Sequence, residues 1–229
     1  MIYEETFGSF DYYAASDECG RGPLAGPVVA CSVGVRGEFL RPYLANLSSL
    51  GVCDSKKLTP SKIKKIIKWL ELPLGTLSIR KNKTLYSSKF EKLDIVVSVM
   101  THTYIDQNNI LVASLEAMKN SFSRLNNKKT ADFSNLWLID GPYSPMKRTI
   151  NNLKVVPVIR GDSHSILIGL SSIIAKYYRD EMMNDYQKKY PEYGFSKHKG
   201  YPTKMHLQAI KNFGPSEIHR RSFRGVLDA

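Results

Sequence analysis

Apolar positions along this chain recur with two periods, one of strands and one of helices. Asp11–Asp17 carries Tyr12, Tyr13, Ala14 and Ala15 and reads as a short strand that ends in acid. Val28–Val35, rich in valine and small residues, reads as a second strand buried on both faces. Gly- and Pro-rich turn chemistry between them suits a hairpin. Thr59-Pro60 opens a helix, since threonine caps and proline suits the first turn. Ile63, Ile66, Ile67 and Leu70 then follow the i, i+3, i+4, i+7 spacing. Lys62, Lys64, Lys65 and Lys68 cover its other side, either as a solvated face or as phosphate contacts. Thr76–Arg80 reads as a strand. One long helix is expected over Ile105–Leu125, with Leu111, Leu115, Met118, Phe122 and Leu125 on its stripe. Strands at Leu136–Ile139 and Val155–Ile159 stop at Asp140-Gly141-Pro142 and Arg160-Gly161-Asp162. Helices are expected over about Ser165–Lys189 and Lys204–Phe213, the second ended by Gly214-Pro215. The pattern predicts an α/β domain, a mixed sheet flanked by helices, over residues 1–190, with a C-terminal helical extension over 191–229 packed on it.

Composition narrows the partner. Lys and Arg number 33 against 21 acids, a formal charge of +12, which suits a polyanion or a solvated basic surface. Apolar residues at 42% of 229 are enough for a sizeable core and exclude a disordered chain. Cys19, Cys31 and Cys53 make an odd count with no C-x-x-C, which fits a reduced, cytoplasmic setting. No charged-then-apolar leader and no apolar run of transmembrane length is seen, so neither secretion nor a membrane is expected.

The chemistry gathers at strand ends. Asp17, Glu18, Asp140 and Asp162 each follow an apolar or small-residue strand, where α/β sheets place their sites. Each acid alone has a structural reading as a turn or helix cap. Four together would repel one another unless cations sat among them. Two Mg²⁺ or Mn²⁺ ions about 4 Å apart would neutralise them and clamp an in-line phosphoryl displacement. Cys19-Gly20-Arg21-Gly22-Pro23 follows the acid pair at once, a loop whose exposed amides and arginine suit a phosphate or a sugar hydroxyl. His198, His206 and His219 lack zinc spacing and read as surface or substrate-adjacent groups. A Walker A loop, a dinucleotide glycine fingerprint and a nucleophilic serine elbow are all missing from the sequence.

These segments, in order, carry a resemblance. Asp17 to Val29, Asp54-Ser55-Lys56-Lys57-Leu58, Ile105-Asp106 with Asn109-Ile110-Leu111, Ile139-Asp140-Gly141 and Gly161-Asp162-Ser163 are followed by Ser171–Lys176 with Arg179-Asp180. Tyr193-Gly194-Phe195, His198–Thr203 and His219–Phe223 complete the series. The sequence resembles bacterial ribonuclease HII across nearly its whole length. That resemblance implies a ribonuclease H-like fold and an endoribonuclease that cuts the RNA strand of RNA/DNA hybrids and DNA with a single embedded ribonucleotide. The cut would lie 5′ of the ribonucleotide and leave a 3′-hydroxyl and a 5′-phosphate. The implied roles are ribonucleotide excision and RNA primer removal, by a monomer. It makes Asp17, Glu18, Asp140 and Asp162 the metal ligands and catalytic acids. Gly20, Arg21 and Gly22 become the reader of the 2′-hydroxyl, and Tyr201 a plane against the sugar beyond it. The 2′-hydroxyl is the group by which RNA differs from DNA. Lys56, Lys176 and Arg179 are candidate phosphate contacts, and Arg220 and Arg221 either track the duplex or form a solvated pair.

The chain departs from the family in three places. Cys19 stands where an aliphatic residue is usual and suits packing. Ser165–Leu170 is unlike the usual Ser/Ala-rich run, and Pro142 replaces a common Asn. Ribonuclease HIII, a near relative, has a Thr-type loop where this chain has Arg21. A non-catalytic basic nucleic-acid-binding module is the reading from another class, and the four acids weigh against it because bare carboxylates weaken polyanion binding.

Overall fold

The computed structural model describes residues 3–52, 58–76, 93–125, 133–146 and 152–227, and the backbone of 83–90. Six strands build one sheet: β1 (Tyr12–Cys19), β2 (Val28–Arg36), β3 (Lys83–Phe90), β4 (Leu93–Met100), β5 (Asn135–Asp140) and β6 (Leu153–Val158). Their spatial order is β3-β4-β2-β1-β5-β6. The β1–β2 hairpin, β2–β4 and β3–β4 are antiparallel, while β1–β5 and β5–β6 are parallel. The helices are α1 (Gly37–Ser49), α2 (Pro60–Trp69), α3 (His102–Asn108), α4 (Ile110–Leu125), α5 (Ile166–Lys189), the short α6 (Phe195–His198) and α7 (Lys204–Phe213). The fold is the expected ribonuclease H-like mixed sheet with helices.

Strand alternation sorts the core into two layers. Tyr13, Ala15, Val29, Cys31 and Val33 face one side, under α1, α2 and α5. Tyr12, Ala14, Val28 and Ala30 face the other, under α4, where Trp137 stacks on Phe122 at 3.9 Å. Helices on both faces explain why β2 is buried from Val28 to Val35 with no polar alternation. The α5 helix crosses β1 and β2, and Ser171 Oγ donates to the Ala15 carbonyl at 3.1 Å. Its N-terminus is capped by Ser165, whose hydroxyl accepts from Ile168 N–H and donates to the buried carboxylate of Glu4 at 2.7 Å. The residues after α5 form a third cluster in which Tyr193, Phe195, Ile210 and Ile218 pack on Leu24, Ala25 and Met183. That cluster ties the C-terminal segment to the loop after β1.

Two expectations change, and a third falls outside the described residues. The single helix over Ile105–Leu125 is two helices, because Asn109 adopts φ 66° and its side chain accepts from Val112 N–H. The buried face of α4 is Ala113, Ser114, Ala117, Met118, Ser121, Phe122 and Leu125, so Leu111 and Leu115 flank the stripe instead of forming it. Small residues take the inner positions because α4 lies directly on β2 and β4. The Thr76–Arg80 strand lies, apart from Thr76, outside the described residues, and strand structure is seen at β3 and β4. Helix α1 and strands β3 and β4 are elements that the sequence pattern does not anticipate, although Leu40, Tyr43, Leu44 and Leu47 keep helical spacing around Pro42.

Candidate active site

The parallel ladder between β1 and β5 ends at Ser16–Ile139, and the next residue on each strand is an acid, Asp17 and Asp140. Neighbouring parallel strands thus deliver two carboxylates side by side at their carboxyl ends. Glu18 follows on β1. Asp162 sits in a short 3-10 turn beyond β6, four residues past the strand end, so it is carried by a turn and not directly by the strand. Asp140 Oδ1 accepts from Gly161 N–H at 2.6 Å, which ties the Asp162 turn to the end of β5.

The acids strain against one another. Burial, then the charges of Glu18 and Asp140, hold the Asp17 carboxyl well above its ordinary range, against a hydrogen bond from Ser172 of α5. Burial raises Glu18 as well; Arg21 opposes that and Asp140 adds to it. Glu18 Oε2 is buried with no hydrogen-bond partner among the described residues. A buried carboxylate oxygen without a partner, beside two more carboxylates, is a donor set suited to a hard divalent cation. Among the described residues, no three His, Cys, Asp or Glu side chains already close around one point as a ligand shell. The residues fit a cation by charge, oxygen chemistry and the unsatisfied oxygen.

The loop after β1 is held from below. Gly20 has φ +104°, and a Cβ there would collide with Arg179 Nε and Cδ. A Cβ on Gly22 would meet Tyr201 Cε1 at 3.3 Å. Arg21 is half exposed, with Nη1 3.4 Å from Glu18 Oε1. Tyr201 is 45% exposed. The three loop residues and the tyrosine therefore share one edge of the acid site. Lys176 is also there, exposed and bonded to Asp180 at 2.6 Å; burial opposes its protonation, but Asp180 holds its pKa above the ordinary lysine value. Lys56 lies outside the described residues.

Arg179 corrects an expectation. It is fully buried, and its Nε and Nη2 donate to the carbonyls of Pro27, Ala25 and Lys199 at 3.1, 3.3 and 3.0 Å. Its Nη1 is buried with no hydrogen-bond partner among the described residues, and burial, not saturation of its donors, keeps the guanidinium from a phosphate. Arg220 is neither a duplex contact nor solvated: it too is fully buried among loop carbonyls. Burial, with Arg179 beside it, pushes its pKa down to about 9, so it stays cationic at neutral pH. Two adjacent arginines in sequence, Arg220 and Arg221, gave no sign of which one turns inward. Cys19 packs against the core, and burial pushes its thiol up to about 11, away from the reactive thiolate.

The three histidines also depart from the surface reading. All are buried, with His198 stacked on His206 at 4.5 Å. Their partners fix the tautomers. Ser216 N–H donates to His219 Nδ1 at 2.8 Å, so His219 carries its proton on Nε2 and donates to His206 Nε2 at 3.0 Å. His206 Nδ1–H then donates to the Tyr201 carbonyl at 3.0 Å. His198 accepts from Gly200 N–H and donates to the Tyr193 carbonyl. Neutral imidazoles thus brace the backbone under Tyr201.

The family model described as ribonuclease HII matches residues 14–226. Ribonuclease HII of Chlamydia trachomatis is 41% identical over 223 residues, covering 96% of this chain and 85% of that protein. Ribonuclease HII of Lactobacillus acidophilus is 37% identical over 230 residues, covering 100% of this chain and 77% of that protein. Among solved structures, ribonuclease H2 from Pyrococcus horikoshii OT3 superposes with a TM-score of 0.63 at 21% identity, covering 95% of this chain and 96% of that one. Bst-RNase HIII in complex with Mn²⁺ gives 0.62 at 18% identity, covering 98% and 70%.

Proposed function

This chain belongs to the ribonuclease HII family and is a ribonuclease H, a hydrolase, and from that premise we propose that it cleaves RNA/DNA hybrids and duplex DNA at single embedded ribonucleotides with the help of divalent cations. The observation that carries the reading is the meeting of Asp17 and Asp140 at the ends of adjacent parallel strands, beside the unpartnered Glu18 Oε2. Asp17, Glu18, Asp140 and Asp162 would hold two Mg²⁺ or Mn²⁺ ions. Bound there, the cations would offset the carboxylate repulsion and stabilise charge on the attacking and leaving oxygens. The Mn²⁺ complex of a protein with this fold agrees with that choice of ion.

The chain's own residues supply the selection. Gly20, Arg21 and Gly22 approach the 2′-hydroxyl, which needs backbone free of side chain. Tyr201 offers an exposed ring across from Gly22, against the following deoxyribose. Water adds at the phosphorus 5′ of the ribonucleotide, and the bond from phosphorus to the upstream 3′-oxygen breaks, leaving a 3′-hydroxyl and a 5′-phosphate. Lys176 lies within reach of a flanking phosphate, and the +12 charge draws the duplex in. The activity suits ribonucleotide excision and RNA primer removal by a monomer acting in the cytoplasm. No helix among the described residues is long and apolar enough to cross a membrane. Asp140→Asn tests the reading: it should still bind the duplex and lose turnover by roughly 100-fold or more, the effect of about 3 kcal/mol of lost charge stabilisation. Wild-type turnover in that variant would remove Asp140 from the site.

A further inference from the structure

We propose that Arg220 is the positioning residue of the ribose-reading loop, a buried cation that fixes the peptide planes of Gly20 to Gly22 from beneath. Its guanidinium donates to the carbonyls of Gly20 at 2.7 Å, Arg21 at 3.0 Å, Pro23 at 2.8 Å, Gly26 at 2.9 Å and Pro27 at 3.1 Å. One side chain from the C-terminal segment thus collects five carbonyls of a single loop, across about two hundred residues of sequence.

Peptide geometry gives this arrangement its consequence. In a trans peptide the C=O and the following N–H point in opposite directions, and no described peptide is cis. The carbonyls of Gly20 and Arg21 turn inward to Arg220, so the N–H groups of Arg21 and Gly22 turn outward. The same logic is visible one step on. The Pro23 carbonyl points to Arg220 and the Leu24 N–H points away, where it donates to the Gly200 carbonyl at 2.8 Å. Arg220 therefore aims two adjacent amide donors at the edge of the acid site shared with Tyr201.

The clamp has its own anchor. Asp106 of α3 accepts from Arg221 N–H, Ser222 N–H and the Ser222 hydroxyl, at 3.0, 3.0 and 2.6 Å. The Arg220 N–H donates to the Leu24 carbonyl at 2.8 Å, and Ala25 bridges to His219. Burying a guanidinium with only carbonyls around it is costly unless every donor is used. Arg220 meets that condition through the planar fork that lysine lacks, and Gly20 leaves room for the neighbouring Arg179.

The inference rests on the reading of Gly20–Gly22 as the ribose contact, and its test separates the two. A lone ribonucleotide offers the loop one register, while a continuous RNA strand offers many, so a loosened loop should lose more on the first substrate. The ratio of kcat/KM for a single-ribonucleotide duplex to that for an RNA/DNA hybrid is measured in Arg220→Lys, Asp106→Ala and Gly22→Ala. Amide hydrogen exchange is followed at residues 20–22 and, as reference, at Ala14 and Ser16. The expected result is a drop in the ratio of about 10-fold in Arg220→Lys and about three-fold in Asp106→Ala, with faster exchange at 20–22 and unchanged exchange in β1. Should Arg220→Lys fail to fold, Asp106→Ala carries the same test, since it loosens the anchor while leaving Arg220 in place. An unchanged ratio in folded Arg220→Lys or Asp106→Ala, with Gly22→Ala altered, overturns the positioning role. An unchanged ratio in Gly22→Ala overturns the loop as reader instead.

Discussion

Gly22 faces Tyr201 so closely that a methyl group on Gly22 would lie 3.3 Å from Cε1 of the tyrosine ring, tighter than ordinary van der Waals contact. The loop after β1 and the turn before α7 are thus two walls of one slot. Gly22→Ala should push the ring aside and narrow the slot without touching the acids. The expected outcome is a loss of about 10-fold in kcat/KM on a single-ribonucleotide duplex, with thermal stability changed by less than about 1 kcal/mol because the ring is exposed and can turn. Steady-state kinetics beside a melting curve checks it.

Arg21→Ala removes an exposed guanidinium that lies 3.4 Å from Glu18. Preference for ribose over deoxyribose at the cleaved position should fall, while hybrid binding weakens only modestly. Competition between matched duplexes with and without the 2′-hydroxyl measures this, and an unaltered preference would count against the loop as reader.

The histidine brace makes stability depend on acid. Burial holds His206 and His219 down at about 4, against an ordinary 6.5. Unfolding returns each ring to its ordinary value, so between pH 6.5 and 4 the unfolded chain binds more protons than the folded one. Stability is therefore complete above about 6.5 and falls as pH drops through that window. A protonated His219 would set Nδ1–H against the Ser216 N–H that now donates to it. Denaturation midpoints from pH 8 to 4 should show the loss. His206→Gln should be less stable than wild type at neutral pH, with the gap narrowing toward pH 4.

Glu4 lies outside the family match at 14–226, yet its buried carboxylate accepts from the Ser165 hydroxyl and Leu167 N–H at the start of α5. Negative charge at a helix N-terminus is stabilising. Glu4→Ala should cost about 1–2 kcal/mol, read as a shift in the urea midpoint with an unchanged slope.

Much of this was legible in the chain. Helix α2 carries a strong period and a cap, the hairpin its Gly- and Pro-rich turn, and α5 a run without proline whose only glycine is Gly169, while Asp17, Glu18 and Asp140 stand at strand ends. Asp162 was placed one step too close to its strand, because the intervening turn depends on Arg160 adopting a left-handed backbone. Asn109 broke a helix that apolar spacing carried straight through. What stayed hidden were the long-range partners. Nothing local distinguishes Arg220, clamped under a loop two hundred residues away, from its solvent-facing neighbour, and nothing local joins His198, His206 and His219. Their roles arise only when the C-terminal segment folds onto the loop after β1.

In the proposed reaction the acid cluster and the Gly20–Gly22 loop act together to cut beside a single ribose. The most direct test maps cleavage sites on matched duplexes bearing one ribonucleotide or several, with and without Mg²⁺. One Mg²⁺-dependent cut 5′ of the lone ribonucleotide is expected, leaving a 3′-hydroxyl and a 5′-phosphate. Cleavage confined to continuous RNA, or cleavage that persists in a chelator, would contradict it.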